Sequence, residues 1–307
     1  MRIVFMGTPE FAVPSLKILL ENNYEIGAVV TVPDKPAGRG LKIKFSPVKE
    51  FSLKHNLFIL QPQRLNDQDF ISKLKSLNPD VFVIVAFKIL PPEIFTIPKY
   101  GSFNLHASLL PKYRGAAPIN WAIMKNERET GVTTFFLEET VDTGNIILQA
   151  RTPIGPDETA GELHDRLSEI GAEIVLHTVR LIESGKVKKQ QQDPALATLA
   201  PKIFREQCRI NWHSNSQDIH NFIRGLSPKP TAFTFHNKTM LKIYRSSLVD
   251  DMHGKSPGEI IDTNRRLIVS TRDGAIEIKE IQQEGKKRLS ADDFLRGYPL
   301  KIGDKLS

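Results

Sequence analysis

Two hydrophobic patterns alternate through the first two-thirds of the chain, and this alternation restricts the possible fold more than any other feature. Short runs rich in β-branched residues are separated by stretches in which apolar residues recur every three to four positions. The strand-like runs are 2–6, 26–32, 81–86, 132–137 and 146–150, and the helix-like stretches are 11–21, 47–56, 67–77 and 117–126. A longer helix is predicted from Thr159, because Glu162 completes a capping box three residues later. This order predicts an α/β domain with a mainly parallel sheet and helices on both faces.

The pattern changes beyond residue 186. The segment 186–204, KVKKQQQDPALATLAPKIF, is polar and then interrupted by prolines, which is typical of an interdomain linker. After it, a short helix near 216–225 precedes five short strand-like runs joined by tight turns, and a Ser-capped helix is predicted at 290–297. Short strands at this spacing predict a small antiparallel β-barrel of the OB type. The predicted organisation is therefore a first domain over 1–188, a linker over 189–206 and an OB-like domain over 207–307.

Charge is distributed unevenly between these parts. Residues 205–307 hold 18 Lys and Arg against 13 Asp and Glu, a net of +5, whereas residues 1–204 hold 24 against 22, a net of +2. A basic surplus of this kind favours a phosphate-rich partner, although charge alone is a weak signal. The single cysteine, Cys208, excludes an internal disulfide and a cysteine-based zinc site and fits a reducing compartment. Without a signal-peptide pattern or an apolar run longer than 81–87, we expect a soluble, cytoplasmic protein that does not enter a membrane.

Several common catalytic motifs are missing from the sequence. The first strand runs into a single glycine, Gly7, where a dinucleotide-binding fold has three, and the Gly38-Arg39-Gly40 segment lacks both the third glycine and a preceding strand. There is no phosphate-binding P-loop, no paired-histidine zinc helix and no serine-hydrolase elbow. We therefore expect no nicotinamide or flavin cofactor and no metal.

Polar residues interrupt the apolar segment FNLHASLLPKYRG at 103–115. In an extended strand Asn104, His106 and Ser108 lie on one face, with the apolar residues between them on the other. One interpretation is the solvated face of a strand at the edge of a sheet. The other interpretation is a reactive site, because the reactive groups of parallel sheets lie at the carboxyl ends of the strands.

A carboxylate, Asp142, follows the predicted strand 132–137 in a glycine-containing loop. An amide can donate a hydrogen bond to a developing oxyanion, an imidazole can accept the proton that an attacking ammonium loses, and a carboxylate can fix the imidazole tautomer and raise its basicity. Asn104, His106 and Asp142 together would thus suit acyl transfer to an amine without a covalent nucleophile. Asp142 alone could also be a turn residue that caps its own backbone.

The two segments resemble motifs of a known family, the 10-formyltetrahydrofolate-dependent formyltransferases. FNLHASLLPKYRG resembles the family's Asn-x-His-x-Ser-Leu-Leu-Pro-x-x-x-Gly signature, and VDTGNI at 141–146 resembles its Asp-Thr-Gly segment. The resemblance implies a Rossmann-like catalytic domain, 10-formyltetrahydrofolate as co-substrate, and a catalytic trio of Asn104, His106 and Asp142. It also implies contacts to the folate from a stretch of four residues, namely Ser108, Leu109, Leu110 and Pro111.

The basic segment 31–49, TVPDKPAGRGLKIKFSPVK, discriminates between members of this family. Residues 35–49 contain five basic residues and no acid, and two glycines and two prolines that should keep them out of regular structure. The segment is similar to a loop of the family members that formylate initiator methionyl-tRNA, and GTPEFAVPSL at 7–16 and YRGAAPINWAI at 113–123 are also similar to those members. The resemblance implies that Arg39, Lys42 and Lys44 contact the tRNA, although a solvated surface loop is the alternative.

We therefore predict a monomeric enzyme that formylates the α-amino group of methionine on initiator methionyl-tRNA, with a tRNA-binding OB-like domain. Two alternatives stay open. One is a formyltransferase that acts on a small molecule, either glycinamide ribonucleotide or a sugar-nucleotide amine. The other is an RNA-binding relative that has lost the activity.

Overall fold

A computed structural model describes residues 1–37, 42–249 and 255–307. The chain forms two compact units. Unit 1 comprises Met1–Gly115, Gly131–Thr152 and His164–Leu199, and unit 2 comprises Ala116–Thr130, Pro153–Leu163 and Ala200–Ser307. Two short segments from the first two-thirds of the chain thus belong to unit 2, whereas the sequence pattern predicts a single division at 189–206.

The first two-thirds of the chain contain the strands and helices that the alternating pattern predicts. The strands are Arg2–Gly7 (β1), Glu25–Val30 (β2), Lys35–Ala37 (β3), Lys42–Lys44 (β4), Ile59–Leu60 (β5), Val81–Val85 (β6), Ser102–His106 (β7), Glu129–Phe136 (β8) and Ile146–Pro153 (β9). The helices are Val13–Glu21 (α1), Pro47–Lys54 (α2), Gln68–Ser76 (α3), Pro92–Phe95 (α4), Pro118–Met124 (α5) and Ala160–Glu183 (α6). α6 begins at the predicted capping box, in which Thr159 N–H donates to Glu162 Oε2 at 2.9 Å and Glu162 N–H donates to Thr159 Oγ1 at 3.3 Å.

Unit 1 is built on a seven-stranded sheet with the order β5-β2-β1-β6-β7-β8-β9. The pairs from β5 to β7 are parallel, and β8 runs antiparallel to β7. β1 and β6 are apolar and almost wholly buried, as expected for central strands that are covered on both faces. The predicted Rossmann-like, mainly parallel architecture is confirmed. β7 lies between β6 and β8, so the interpretation of 102–106 as a sheet-edge strand is wrong.

The basic segment after β2 is more regular than its prolines and glycines indicate. β3 and β4 form an antiparallel ribbon in which Lys35 pairs with Lys44. A proline can occupy such a ribbon where its nitrogen faces outward and no hydrogen bond is lost. The ribbon is followed at once by α2, whose N-cap Ser46 accepts from Lys49 N–H at 3.1 Å.

The described residues of unit 2 contain a six-stranded sheet, antiparallel in each pair, as predicted for an OB-like domain, and α5 together with two further α-helices after residue 200. Its elements are Ser216–Leu226 (α7), Ala232–His236 (β10), Thr239–Val249 (β11), Ile260–Asp262 (β12), Leu267–Ser270 (β13), Ala275–Gln283 (β14), Leu289–Ser290 (β15) and Ala291–Gly297 (α8). The strand order is β10-β11-β14-β13-β12, with β15 beside β14. α7 buries Ile219, Ile223 and Leu226 in the hydrophobic core of this unit.

None of the helices within the described ranges combines the length and the hydrophobicity that a membrane span requires.

Candidate active site

The strand β7 carries two of the three predicted catalytic residues into the interior of unit 1. Asn104 lies opposite Ile84 of β6 and Phe135 of β8, and His106 is the last residue of the strand. His106 is 6% exposed, whereas Asn104 is partly exposed. Because side chains two apart on a strand share a face, both polar groups project from one side at the carboxyl end of β7.

The imidazole of His106 is oriented by a backbone carbonyl. Its Nε2 lies 2.8 Å from the carbonyl oxygen of Tyr113, and since a carbonyl can only accept, Nε2 must carry the proton. Tyr113 has a left-handed backbone (φ 61°), and its N–H donates to Thr198 Oγ1 at 2.9 Å. In the neutral ring Nδ1 therefore presents a lone pair.

The carboxylate of Asp142 faces this lone pair. Its Oδ2 is 3.9 Å from His106 Nδ1, too far for a direct hydrogen bond, and both side chains are largely buried. The sequence predicts that Asp142 fixes the tautomer of His106. In the structure the Tyr113 carbonyl fixes it instead. Two acceptors, His106 Nδ1 and Asp142 Oδ2, therefore face each other at this position.

The loop around Asp142 is fixed by contacts distant in sequence. Asp142 has a left-handed backbone (φ 58°), which aspartate tolerates better than most residues, and its Oδ2 accepts from Gly115 N–H at 2.9 Å. The contact to Gly115 is 27 positions away along the chain, so this carboxylate does more than cap its own turn.

Gln192 and Arg114 hold the same loop, and sequence reasoning missed both. Gln192 Nε2 donates to the carbonyl oxygens of Asp142 and Gly144 at 2.9 Å each, and its Oε1 accepts from Arg114 Nη2 at 2.6 Å. Gln192 is 6% exposed although it lies in the polar run that resembles a linker. No local pattern distinguishes it from the neighbouring glutamines, because its partners lie far away in the sequence.

Asn104 and Asp142 line one cavity in unit 1. Its other walls combine apolar residues, including Ile84, Phe87, Leu90, Phe95, Leu137 and Val141, with the charged residues Lys88, Glu138 and Glu139. Apolar walls with several polar groups suit a flat heteroaromatic ring that carries polar substituents. Within the described ranges no three His, Cys, Asp or Glu side chains are grouped so that they could hold a metal ion.

The predicted folate-contacting stretch surrounds the turn after β7. Ser108 is fully buried and its hydroxyl donates to the Lys112 carbonyl at 2.6 Å, while Leu110 packs with Phe135 and Ile146. Leu109 is partly exposed, and Pro111 follows a cis peptide bond. None of the four is among the described residues that line the cavity, so their contact with a folate stays a prediction.

Two of the three predicted tRNA-contacting residues, Lys42 and Lys44, belong to the β3–β4 ribbon. Lys44 is exposed at the end of β4, Lys42 begins the same strand, and Arg39 lies outside the described residues. At the foot of the ribbon Lys49 bonds both Asp34 and Gln61. The bond from Lys49, and a second that Gln61 Nε2 donates to Asp34 Oδ1 at 2.9 Å, hold the pKa of the Asp34 carboxyl below its usual range, because they favour its ionised form.

Comparison with known proteins gives consistent results over the whole chain. Residues 1–179 match the family model described as formyl transferase, and residues 202–299 match that of the formyl transferase C-terminal domain. A methionyl-tRNA formyltransferase of Caldanaerobacter subterraneus subsp. tengcongensis is 47% identical over 99% of both chains, and one of Clostridioides difficile is 46% identical over 99% of both. Among solved structures WlaRD, a sugar 3N-formyltransferase in the presence of dTDP and 5-N-formyl-THF, is 26% identical. It covers 94% of this chain and 99% of its own, with a TM-score of 0.68.

Proposed function

The chain belongs to the formyl transferase family, and from this premise we propose that it transfers a formyl group from 10-formyltetrahydrofolate to the α-amino group of methionine on initiator methionyl-tRNA. Formyl transfer is the family's chemistry. The tRNA substrate is supported by the relatives at 46–47% identity over 99% of the chain, whereas the sugar formyltransferase is only 26% identical.

One observation supports an amine acceptor more than any other, namely the pair of facing acceptors. His106 Nδ1 and Asp142 Oδ2 lie 3.9 Å apart and both can accept a hydrogen bond. A protonated amine carries three N–H donors, so it can bond both atoms and give one proton to the imidazole. His106 then acts as the general base that produces the neutral, nucleophilic amine, and Asp142 stabilises the imidazolium that forms.

Asn104, which lines the same cavity as Asp142, completes the reaction centre. A new bond forms between the amine nitrogen and the formyl carbon, and the carbonyl electrons move to oxygen, where the Asn104 amide donates a hydrogen bond. The intermediate collapses as the carbon–N10 bond breaks and N10 receives the proton that His106 took, and the attacking nitrogen then gives its second proton to the neutral His106, which releases it to solvent and leaves a neutral formamide. The sequence balances without a covalent enzyme intermediate.

In this proposal the two units have different tasks. The reacting groups and the folate site belong to unit 1, together with Ser108, Leu109, Leu110 and Pro111 at the turn after β7. In the proposal the tRNA is held by Arg39, Lys42 and Lys44 and by unit 2, whose residues 205–307 carry a net charge of +5. A small acceptor needs neither surface.

A competition assay tests the proposal. The wild-type protein is supplied with 10-formyltetrahydrofolate, and initiator methionyl-tRNA, glycinamide ribonucleotide and a sugar-nucleotide amine are offered in the same reaction. We expect the formyl group on methionyl-tRNA, with kcat/KM at least about a hundredfold above that for either small amine. Preferred formylation of a small amine would replace the proposal by the small-molecule alternative, and no formylation of any acceptor would leave only RNA binding.

A further inference from the structure

Unit 2 contains a partly open groove that the reaction described above does not use. It lies beside α5 and α7 and has a volume of about 290 Å³. Its floor is formed by the buried side chains of Ile210 and Leu226, and its walls include two partly exposed aromatic rings, Trp121 and Phe222. We call this feature the unit 2 groove. Its size is at the lower end of the range for small-ligand sites, about 300–1,000 Å³.

Two cations lie close to aromatic rings in this region. Lys125 Nζ lies 5.9 Å from the centre of the Trp121 ring, and the guanidinium of Arg209 lies 5.4 Å from the centre of the Phe235 ring. Lys125 and Arg209 are exposed and line the groove, and Asp218 is the one acidic residue among its described lining residues. Exposed cations beside accessible aromatic rings are the combination by which proteins bind unpaired nucleotides, since the ring stacks on a base while the cation attracts the phosphate.

We propose that the unit 2 groove binds an unpaired nucleotide of the tRNA, with Trp121 as the stacking platform and Lys125 and Arg209 as phosphate contacts. The inference rests on the proposed function and adds to it a base-stacking site that differs from general attraction by charge. A peptide or a second copy of the chain would fill the apolar floor equally well. The exposed cations and the basic surplus of residues 205–307 favour a polyanion.

Tryptophan fluorescence can report binding in the groove. The chain has two tryptophans, and the other one, Trp212, is 3% exposed in the core of unit 2, where its indole N–H donates to Thr234 Oγ1. Stacking of a base on Trp121 should therefore quench the accessible part of the fluorescence. We expect quenching by single-stranded oligoadenylate of about eight nucleotides, and little quenching by an RNA duplex of the same length or by heparin.

Two substitutions of Trp121 separate stacking from packing. The Trp121 indole N–H donates to the Pro201 carbonyl at 2.8 Å, and both Trp121→Phe and Trp121→Leu remove this bond. Only Trp121→Phe keeps an aromatic ring, so the difference between the two variants measures stacking. For initiator tRNA, measured by anisotropy of a labelled molecule at about 150 mM salt, we expect Trp121→Leu to weaken binding roughly tenfold and Trp121→Phe less than about threefold.

The phosphate contacts have a matched control in unit 1. Lys99 Nζ lies 4.9 Å from the Tyr100 ring centre, which is also an exposed cation–ring pair. The double variant Lys125→Gln with Arg209→Gln should weaken tRNA binding and lower the slope of log binding constant against log salt concentration by roughly one unit per contact. Lys99→Gln should change neither quantity.

The outcomes separate this inference from the proposed function. If the wild type formylates methionyl-tRNA but Trp121→Leu binds tRNA as tightly as Trp121→Phe, the stacking site is wrong and the proposed function stands. Equal quenching by the duplex and the single strand would also overturn the site, since it would indicate charge attraction alone. Self-association of the wild type in sedimentation that Trp121→Leu abolishes would make the groove an interface between copies of the chain and overturn the inference as well.

Discussion

The candidate active site of unit 1 and the unit 2 groove use polar groups in opposite ways. At the candidate active site His106 and Asp142 are largely buried, and each is oriented by a backbone group, Tyr113 O or Gly115 N. Around the groove Lys125 and Arg209 are exposed and lie near rings. Proton transfer depends on fixed donor and acceptor geometry, whereas attraction of a polyanion depends on the number of charges that reach its phosphates. Substitutions should therefore lower the chemical rate in the first region and the tRNA affinity in the second.

The largest expected effect comes from removal of the reacting groups. Asn104→Ala, His106→Ala and Asp142→Asn should each lower kcat by about a hundredfold or more, because each removes a proton acceptor or a donor to the oxyanion. Asp142→Asn is the sharpest of the three. Asparagine also adopts a left-handed backbone and can still accept from Gly115, so only the charge is lost. Single-turnover rates measure the effect, and a rate within about threefold of wild type for all three variants would refute the assignment.

The basic residues after β2 test whether tRNA affinity depends on exposed charge. Arg39→Gln, Lys42→Gln and Lys44→Gln together should weaken tRNA binding by up to about a hundredfold at physiological salt and flatten the salt dependence by roughly one unit per contact. Folate binding and the rate at saturating tRNA should stay unchanged.

A matched control for the double variant Lys42→Gln with Lys44→Gln, which removes the same number of charges, is Lys73→Gln with Lys75→Gln on the exposed face of α3. These residues carry the same charge on the same unit. A similar loss of tRNA affinity in this control would mean that net charge, and not the ribbon, holds the tRNA.

Gln192 tests whether orientation of the Asp142 loop matters by itself. Gln192→Ala should lower kcat roughly tenfold with little change in tRNA affinity, because two loop carbonyls lose their donor. Gln192→Glu keeps the acceptor for Arg114 but not the donor to Asp142 and Gly144, so it should behave like the alanine variant if the loop contact is what matters. A glutamate variant with wild-type kcat would show that the Arg114 contact alone suffices.

The smallest expected effect concerns stability. Burial raises the pKa of the Glu162 carboxyl, but hydrogen bonds from Thr159 and Arg245 outweigh it and lower the pKa from its ordinary value of 4.5 to about 2. The folded state binds this proton less tightly than the unfolded state does. The carboxylate therefore stabilises the fold above pH 4.5 and loses this contribution as the pH falls towards 2.

Glu162→Gln can keep the capping box through its amide oxygen and removes the charge together with the acceptor for Arg245. Since the side chain is 48% exposed, we expect its free energy of unfolding to fall less steeply than that of the wild type between about pH 5 and pH 2, by under about 1 kcal/mol. Denaturant unfolding across that pH range measures this difference, and identical slopes would contradict the prediction.

Sequence reasoning succeeded where one short segment contains the whole signal. The alternating patterns predicted the parallel sheet and the OB-like strands, and Thr159 with Glu162 predicted the start of α6. The two-residue spacing placed Asn104 and His106 on one face. Each of these depends on local periodicity or capping, which neighbouring residues determine.

The features that the sequence did not predict depend on contacts between distant parts of the chain. Gln192 bonds Arg114 and the Asp142 loop across separations of 48 to 78 positions, and Asn120 of α5 donates to the Gly225 carbonyl across 105 positions in unit 2. An amphipathic helix has the same pattern whichever core it joins, so the sequence could not assign α5 to a unit. The Tyr113 carbonyl that orients His106 is a backbone group, to which no side-chain motif points.

The central claim is that chemistry and tRNA recognition depend on different residues. Its most direct test is a single-turnover formylation experiment with enzyme in excess over methionyl-tRNA, titrated for Asp142→Asn and for the triple ribbon variant beside the wild type. The account predicts that Asp142→Asn reaches a maximum rate at least about a hundredfold lower at an unchanged half-saturating concentration. It also predicts that the ribbon variant reaches the wild-type maximum at a higher concentration. A lowered maximum for the ribbon variant, or a raised half-saturation for Asp142→Asn with its maximum intact, would contradict it.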